Sequence, residues 1–148
     1  MIELNKLKKV YGPKVALNVD FLSVRPGECI GLVGNNGAGK TTMLSLILDL
    51  IRATEGCVTL KGIRVNETDD WKNYTGSFLN EGFLIPFLTP MEYFEFVGSL
   101  HGMNKEDIDS FLEETSGFYS EDIRAKKYIR DLSAGNKNKV GILASMMW

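Results

Sequence analysis

At 148 residues, with 44% hydrophobic and 24% charged side chains, the chain has the size and balance of one soluble globular domain with a buried core. Its formal net charge of −2 gives no whole-surface basic footprint for nucleic acid. The longest nearly unbroken apolar run, Met43 to Ile51, is far short of the ~20 residues that cross a membrane, and the N-terminus lacks the apolar stretch of a secretory signal.

The first elements read as strands. "IELNKLKKVYG" and "KVALNVDFLSV" alternate and are separated by Gly12-Pro13, which predicts a hairpin. Pro26-Gly27 breaks that pattern before "ECIGLV", a short apolar run of the kind found in buried strands. A helix is expected over "MLSLILDLIR", with Leu44, Ile47, Leu48 and Ile51 at helical spacing and Arg52 at its C-terminal end. Asp49 ends an apolar run that mimics a metal-positioning aspartate, but its place inside this helix makes it a surface residue. Gly56 leads into "CVTLKGIRV", a strand pair or bent strand, and "NETDDWKN" reads as a polar loop. Cys29 and Cys57 lie in apolar strand-like segments without metal spacing, and read as buried free thiols of a reducing cytoplasm.

From Gly76 the chain turns aromatic and helical. Thr89-Pro90-Met91-Glu92 is a capping-box pattern with proline at the first helical position. Asn104 opens a second helix and Ser120 a third, "EDIRAKKYIRDL", each with acidic residues in its first turn. Phe83, Phe87, Tyr93, Phe94 and Phe96 read mostly as the core of this insert, with "FLIPFLT" as the stretch for contact with a partner. His101, at a helix end, reads as structural.

The chemistry sits between the expected strand and the first helix. Gly34-Asn35-Asn36-Gly37-Ala38-Gly39-Lys40-Thr41 matches G-x-x-x-x-G-K-[ST]. A triphosphate needs many donors converging at short range. Glycines 34, 37 and 39 let successive N–H groups of the loop face it, and the helix start adds free N–H groups and a positive dipole end. Lys40 is expected to reach the β and γ phosphates, Thr41 to bind Mg²⁺, and Thr42 to touch the α phosphate.

"LVGNNGAGKTTMLSLI" together with "LSAGNKNKVGI" resembles the nucleotide-binding subunits of ABC (ATP-binding cassette) transporters, in order over nearly the whole chain. The resemblance implies an α/β P-loop NTPase fold with a β-rich N-terminal part and a parallel core sheet around the phosphate loop. A helical insert is implied over 80–132, and a signature helix over 133–148 returning to the core, all within one ATP-binding domain, 1–148. Tyr11 sits where the family stacks an aromatic on adenine. Asn80 sits where the family has a glutamine that meets Mg²⁺ or the attacking water; asparagine keeps the amide but is one methylene shorter. Ser133-Ala134-Gly135-Asn136-Lys137 matches the signature motif, with Ala134 in place of its first glycine and Asn136 in place of glutamine. Ser133 and Gly135 are thereby expected to hold the γ phosphate of an ATP bound by a second nucleotide-binding subunit, identical or homologous.

The resemblance further implies MgATP hydrolysis coupled to transport by integral membrane subunits, on the cytoplasmic face of the membrane, and is closer to exporter-type subunits. The family's strand ending in Asp-Glu and its switch histidine do not follow the signature here. The chain therefore reads as an N-terminal fragment with an incomplete core sheet and very slow hydrolysis by itself. Two other readings stay open: a soluble ABC protein of translation or repair, and a non-hydrolysing nucleotide-binding module. The absence of heptads and cysteine pairs between the motifs argues against the repair type.

Overall fold

A computed structural model describes residues 1–147 of the chain. They form two compact units, Met1–Asn73 and a second from Tyr74 onward.

The first unit is built on an antiparallel four-stranded sheet in the order β2-β1-β3-β4. Strands β1 (Ile2–Tyr11) and β2 (Lys14–Val24) form the expected hairpin, and β3 (Glu55–Leu60) turns through Lys61-Gly62 into β4 (Ile63–Arg64). Both turn residues have positive φ, 50° and 84°, as a tight hairpin of right-handed strands requires. Leu4 and Leu7 of β1 are both fully buried although their spacing breaks the two-residue alternation. A bulge explains it. Lys6 takes φ 46° and the pairing with β3 shifts between Asn5 and Lys8, so the inward face changes parity. Gly56 lies against this bulge, where a Cβ would run into the carbonyls of Asn5 and Lys6. Leu4, Leu7, Val58 and Leu60 of the sheet are buried, as are Met43 and Leu46 of α1 (Lys40–Ile47), Val65 and Trp71. The "NETDDWKN" loop is thus not wholly polar in role: Trp71 is buried, and its indole N–H donates to the Val65 carbonyl at 3.0 Å.

Three expectations for this unit are corrected. The run Glu28–Val33 forms no strand, and the parallel core sheet expected around the phosphate loop does not form among the described residues. A parallel strand buried on both faces needs neighbours along both edges. No strand of this antiparallel sheet supplies them, so Ile30 and Leu32 stay exposed and Val33 is 95% exposed. Cys29 is exposed with them, and Cys57 is half-buried rather than buried; both are free thiols. Helix α1 stops at Ile47, short of Arg52. Asp49 closes it in the left-handed conformation, φ 50°, while the Leu50 N–H donates to Ser45 and the Asp49 N–H to Leu46. That is a Schellman closure with aspartate in the place glycine usually takes.

The second unit carries α2 (Pro90–Leu100), α3 (Lys105–Glu114) and α4 (Ala134–Ala144). Both expected caps are present as reciprocal capping boxes, Thr89 with Glu92 and Asn104 with Asp107. The Thr89 backbone N–H and hydroxyl both donate to Glu92 and hold its carboxyl below the usual glutamate range. The third expected helix, from Ser120, does not form. Two short 3-10 turns, Glu121–Ile123 and Ile129–Asp131, take its place. Ile123, Ile129 and Leu132 all enter the core, and no helix would turn all three inward at that spacing. The N–H groups of Ile129 and Arg130 donate instead to the carbonyls of Leu88 and Pro86. Of the five aromatics expected mostly in the core, Phe94 is fully buried and Tyr93 packs against it, while Phe83, Phe87 and Phe96 are exposed. Helix α4 seats Val140, Leu143 and Ala144 in the same core as Phe94, Ile108 and Leu112.

Gly141 of α4 is the tightest point of this unit, since a Cβ there would collide with the ring of Phe78. Gly117, by contrast, faces open space. Gly141→Ala should destabilise the second unit by about 1–3 kcal/mol through overpacking. Gly117→Ala should stay within ~0.5 kcal/mol of the parent. Paired thermal melts followed by circular dichroism compare the two.

Candidate nucleotide site

The glycine-rich loop opens α1. Gly39 stands at the helix N-cap with φ 90°, in the left-handed region, and supplies no side-chain cap. Its backbone lies so close to β2 that a Cβ would come to 2.5 Å from the Ala16 carbonyl oxygen. Only glycine fits there, on two counts: the conformation and the space. No acidic residue stands in the first turn of α1, so its N–H groups and positive dipole end meet no competing carboxylate. Upstream, the Ala38 N–H donates to the Asn35 carbonyl at 3.1 Å, which curls the loop, and Gly37 follows the curl with φ 85°.

The Lys40 ammonium lies over this curl, donating to the carbonyls of Gly34 at 2.6 Å and Asn35 at 2.9 Å. A cleft of about 360 Å³ beside it is lined by Tyr11, Lys14, Asn36, Gly37 and Lys40 through Thr42. Tyr11, 51% exposed, forms one wall of the cleft. The structure therefore brings together Tyr11, Asn36, Gly37, Gly39, Lys40, Thr41 and Thr42, with Gly34, Asn35 and Ala38 forming the curl. Lys14 and Ala16 were not singled out in the sequence. The signal was available for Lys14, because the Gly12-Pro13 hairpin pairs it with Tyr11.

A triphosphate suits this donor set: uncapped helix N–H groups, two left-handed glycines and a lysine free to exchange carbonyl oxygens for phosphate oxygens. For a divalent cation the fit is partial. The Thr41 hydroxyl is exposed, and among the described residues no cluster of three His, Cys, Asp or Glu is placed to hold a metal. Thr41 could ligate Mg²⁺ only alongside phosphate oxygens.

The remaining expected residues lie in the second unit. Asn80 caps a short turn, Glu81–Phe83, and its Oδ1 accepts from the Gly82 N–H at 2.8 Å. The Gly82 bond occupies one of the two lone pairs of that oxygen and leaves the other for a metal or a water. Ser133 caps α4, its hydroxyl accepting from the Asn136 N–H at 3.3 Å. The Asn136 side-chain amide donates to Asp122 at 3.1 Å, and Lys137 pairs with Glu81 at 3.8 Å. Asp122 and Glu81 thus steady the first turn of α4 from two sides. Ser133, Ala134 and Gly135 are exposed, and a Cβ on Gly135 would meet nothing within 4 Å. Nothing within the unit requires Gly135 to be bare.

The sequence model of the ABC transporter family matches residues 17–148. The linearmycin resistance ATP-binding protein LnrL of Bacillus subtilis (strain 168) is 32% identical over 148 residues, covering 99% of this chain and 48% of that protein. The bacitracin transport ATP-binding protein BcrA of Enterococcus faecalis is 33% identical over 149 residues, with 99% and 47% covered. The chain spans about half the length of the curated relatives it matches. Among solved structures, the dimeric post-hydrolysis state of the ATP-binding cassette MJ0796, bound to ADP and Pi, superposes with a TM-score of 0.82 at 28% identity. That match covers 99% of this chain and 69% of MJ0796.

The loop geometry separates two glycines. Gly39→Ala has to be strained and to push the loop off β2, and should weaken ATP binding by about tenfold or more. Gly37→Ala carries the φ strain alone, with open space for its Cβ, and should lose less. Isothermal titration with ATP ranks the two; equal losses would show that contact with Ala16 does not set the loop.

Proposed function

This chain belongs to the ABC transporter family, and on that footing we propose that it supplies the ATP-binding and dimer-forming elements of a transport ATPase. The observation that carries the reading is the junction of loop and helix, where Gly39 bends an uncapped α1 into the cleft that Tyr11 and Lys40 share.

In this reading Tyr11 stacks on the adenine, an apolar face-to-face contact that needs no hydrogen bond. The N–H groups of residues 35–41, including those of Asn35, Asn36 and Gly37, converge on the phosphates, that of Ala38 on leaving the Asn35 carbonyl that it holds in the structure. Lys40 leaves the carbonyls of Gly34 and Asn35 for the β and γ phosphates, Thr42 contacts the α phosphate, and Thr41 ligates Mg²⁺. When bound, that cation neutralises charge on the β and γ phosphates. Asn80 is the amide that meets the metal or the attacking water, through the lone pair that its bond from the Gly82 N–H leaves free.

Ser133 and Gly135 serve a second subunit's nucleotide. The first turn of α4 carries no acidic residue of its own, and its free N–H groups favour an anion. Gly135, bare without any internal reason, leaves room for a ligand from outside the unit. Two such subunits, identical or homologous, would close head to tail on two nucleotides, and hydrolysis in the whole protein would reopen them and drive partner membrane subunits from the cytoplasmic face. MJ0796, also dimeric, lends support by similarity.

The test is MgATP turnover by the whole protein in three forms. Lys40→Ala should abolish turnover and weaken ATP binding. Gly135→Ala should bind ATP and melt as the parent does, yet lose most turnover because the γ phosphate of the partner's nucleotide meets a methyl group. Undiminished turnover in Lys40→Ala would overturn the nucleotide assignment, and undiminished turnover in Gly135→Ala the dimer.

A further inference from the structure

Resting on the reading of Tyr11 as the base platform, we infer that Lys9 is a positioning residue for nucleotide recognition. Its ammonium holds the Tyr11 ring from one face, so that the other face is presented to the base.

The Lys9 ammonium stands over the Tyr11 ring, 4.9 Å from its centroid. A cation at that distance is attracted to the negative face of the ring and fixes which face is covered. The ammonium is itself anchored, donating to the Arg52 carbonyl at 2.7 Å. That carbonyl belongs to the segment following α1, and the segment is stitched to β1 by two more bonds. The Thr54 N–H donates to the Lys8 carbonyl at 2.8 Å, and the Val10 N–H to the Thr54 hydroxyl at 3.0 Å. Arg52 is therefore a fixed point, and Lys9 transmits that position to a tyrosine at the end of an exposed hairpin.

The ring needs such a hold. Tyr11 is the last residue of β1, half exposed, and directly precedes Gly12 at φ 54°. The pairing of β1 with β2 shifts register between Lys9 and Val10, one residue before the ring. A platform that wanders between rotamers loses entropy on each binding event, and one already held does not. The cation also has no phosphate-binding task to compete for it: Lys9 does not line the cleft, whereas Lys14 and Lys40 do.

The experiment uses the full chain, with ATP and inorganic tripolyphosphate as paired probes in Mg²⁺ buffer. Tripolyphosphate meets the loop but has no base, so the ratio of the two affinities isolates the platform. Tyr11→Ala is the reference. Lys9→Met, which keeps the stem and removes the charge, should lower the ratio by about two- to five-fold. Lys9→Arg, whose guanidinium can take the same place over the ring, should restore it. If Tyr11→Ala lowers the ratio but Lys9→Met does not, Lys9 is a structural lysine and the inference fails while the platform stands. If Tyr11→Ala itself leaves the ratio unchanged, the platform reading fails and takes the inference with it.

Discussion

The close approach of the Gly39 backbone to the Ala16 carbonyl is the constraint on which the first unit's chemistry rests. It places the start of α1 beside β2 with no side chain between them. From that contact follow the left-handed N-cap, the uncapped N–H groups and the direction in which Lys40 leaves the helix. It also puts the loop near Tyr11, because Ala16 lies just past the hairpin whose ends are Tyr11 and Lys14. The positions of Tyr11 and of the glycine-rich loop are thus two consequences of one packing contact. The segment past Asp49 and Leu50 returns to β1 through Arg52 and Thr54, and the Arg52 carbonyl accepts from the Lys9 ammonium that stands over Tyr11.

Glycines in this chain divide by what their missing side chain accommodates. At Gly39, Gly56 and Gly141 it makes room for the chain itself: a strand carbonyl, a bulge, and the ring of Phe78. At Gly135, as at Gly117, it makes room for nothing within the unit. The first group bears on stability and local geometry. Gly135 lies exposed at the start of α4, where Asn136 and Lys137 are tied to Asp122 and Glu81.

Features set by short-range chemistry were legible in the sequence. The Gly12-Pro13 hairpin, the capping box at Thr89, the Asn104 cap, the loop at Gly34–Thr41 and the Ser133 cap each depend on residues within a few positions, and each formed. Features settled by distant partners were not. Whether the apolar run Glu28–Val33 becomes a strand depends on neighbours that its own residues do not specify. The segment after Ser120 has helical composition, but the carbonyls of Pro86 and Leu88 capture its N–H groups. Asp49 ending α1 was hidden because aspartate is an uncommon choice for a left-handed closure. The parity change that buries both Leu4 and Leu7 needed the bulge at Lys6, which no residue type announces. Within the site, the loop was readable residue by residue, whereas the anchoring of Tyr11 by Lys9 and Arg52 is a tertiary arrangement.

The central claim is that the curl ending at Gly39 receives a nucleotide's phosphates through its backbone N–H groups. The direct measurement is an amide-resolved nitrogen–proton correlation spectrum of the chain during titration with MgATP. The account predicts saturable shifts of the amides of Gly37, Gly39, Lys40 and Thr41, at one affinity shared with the Tyr11 ring resonances followed in a carbon–proton spectrum of the same titration. Saturable shifts located elsewhere, with those amides unmoved, would contradict it.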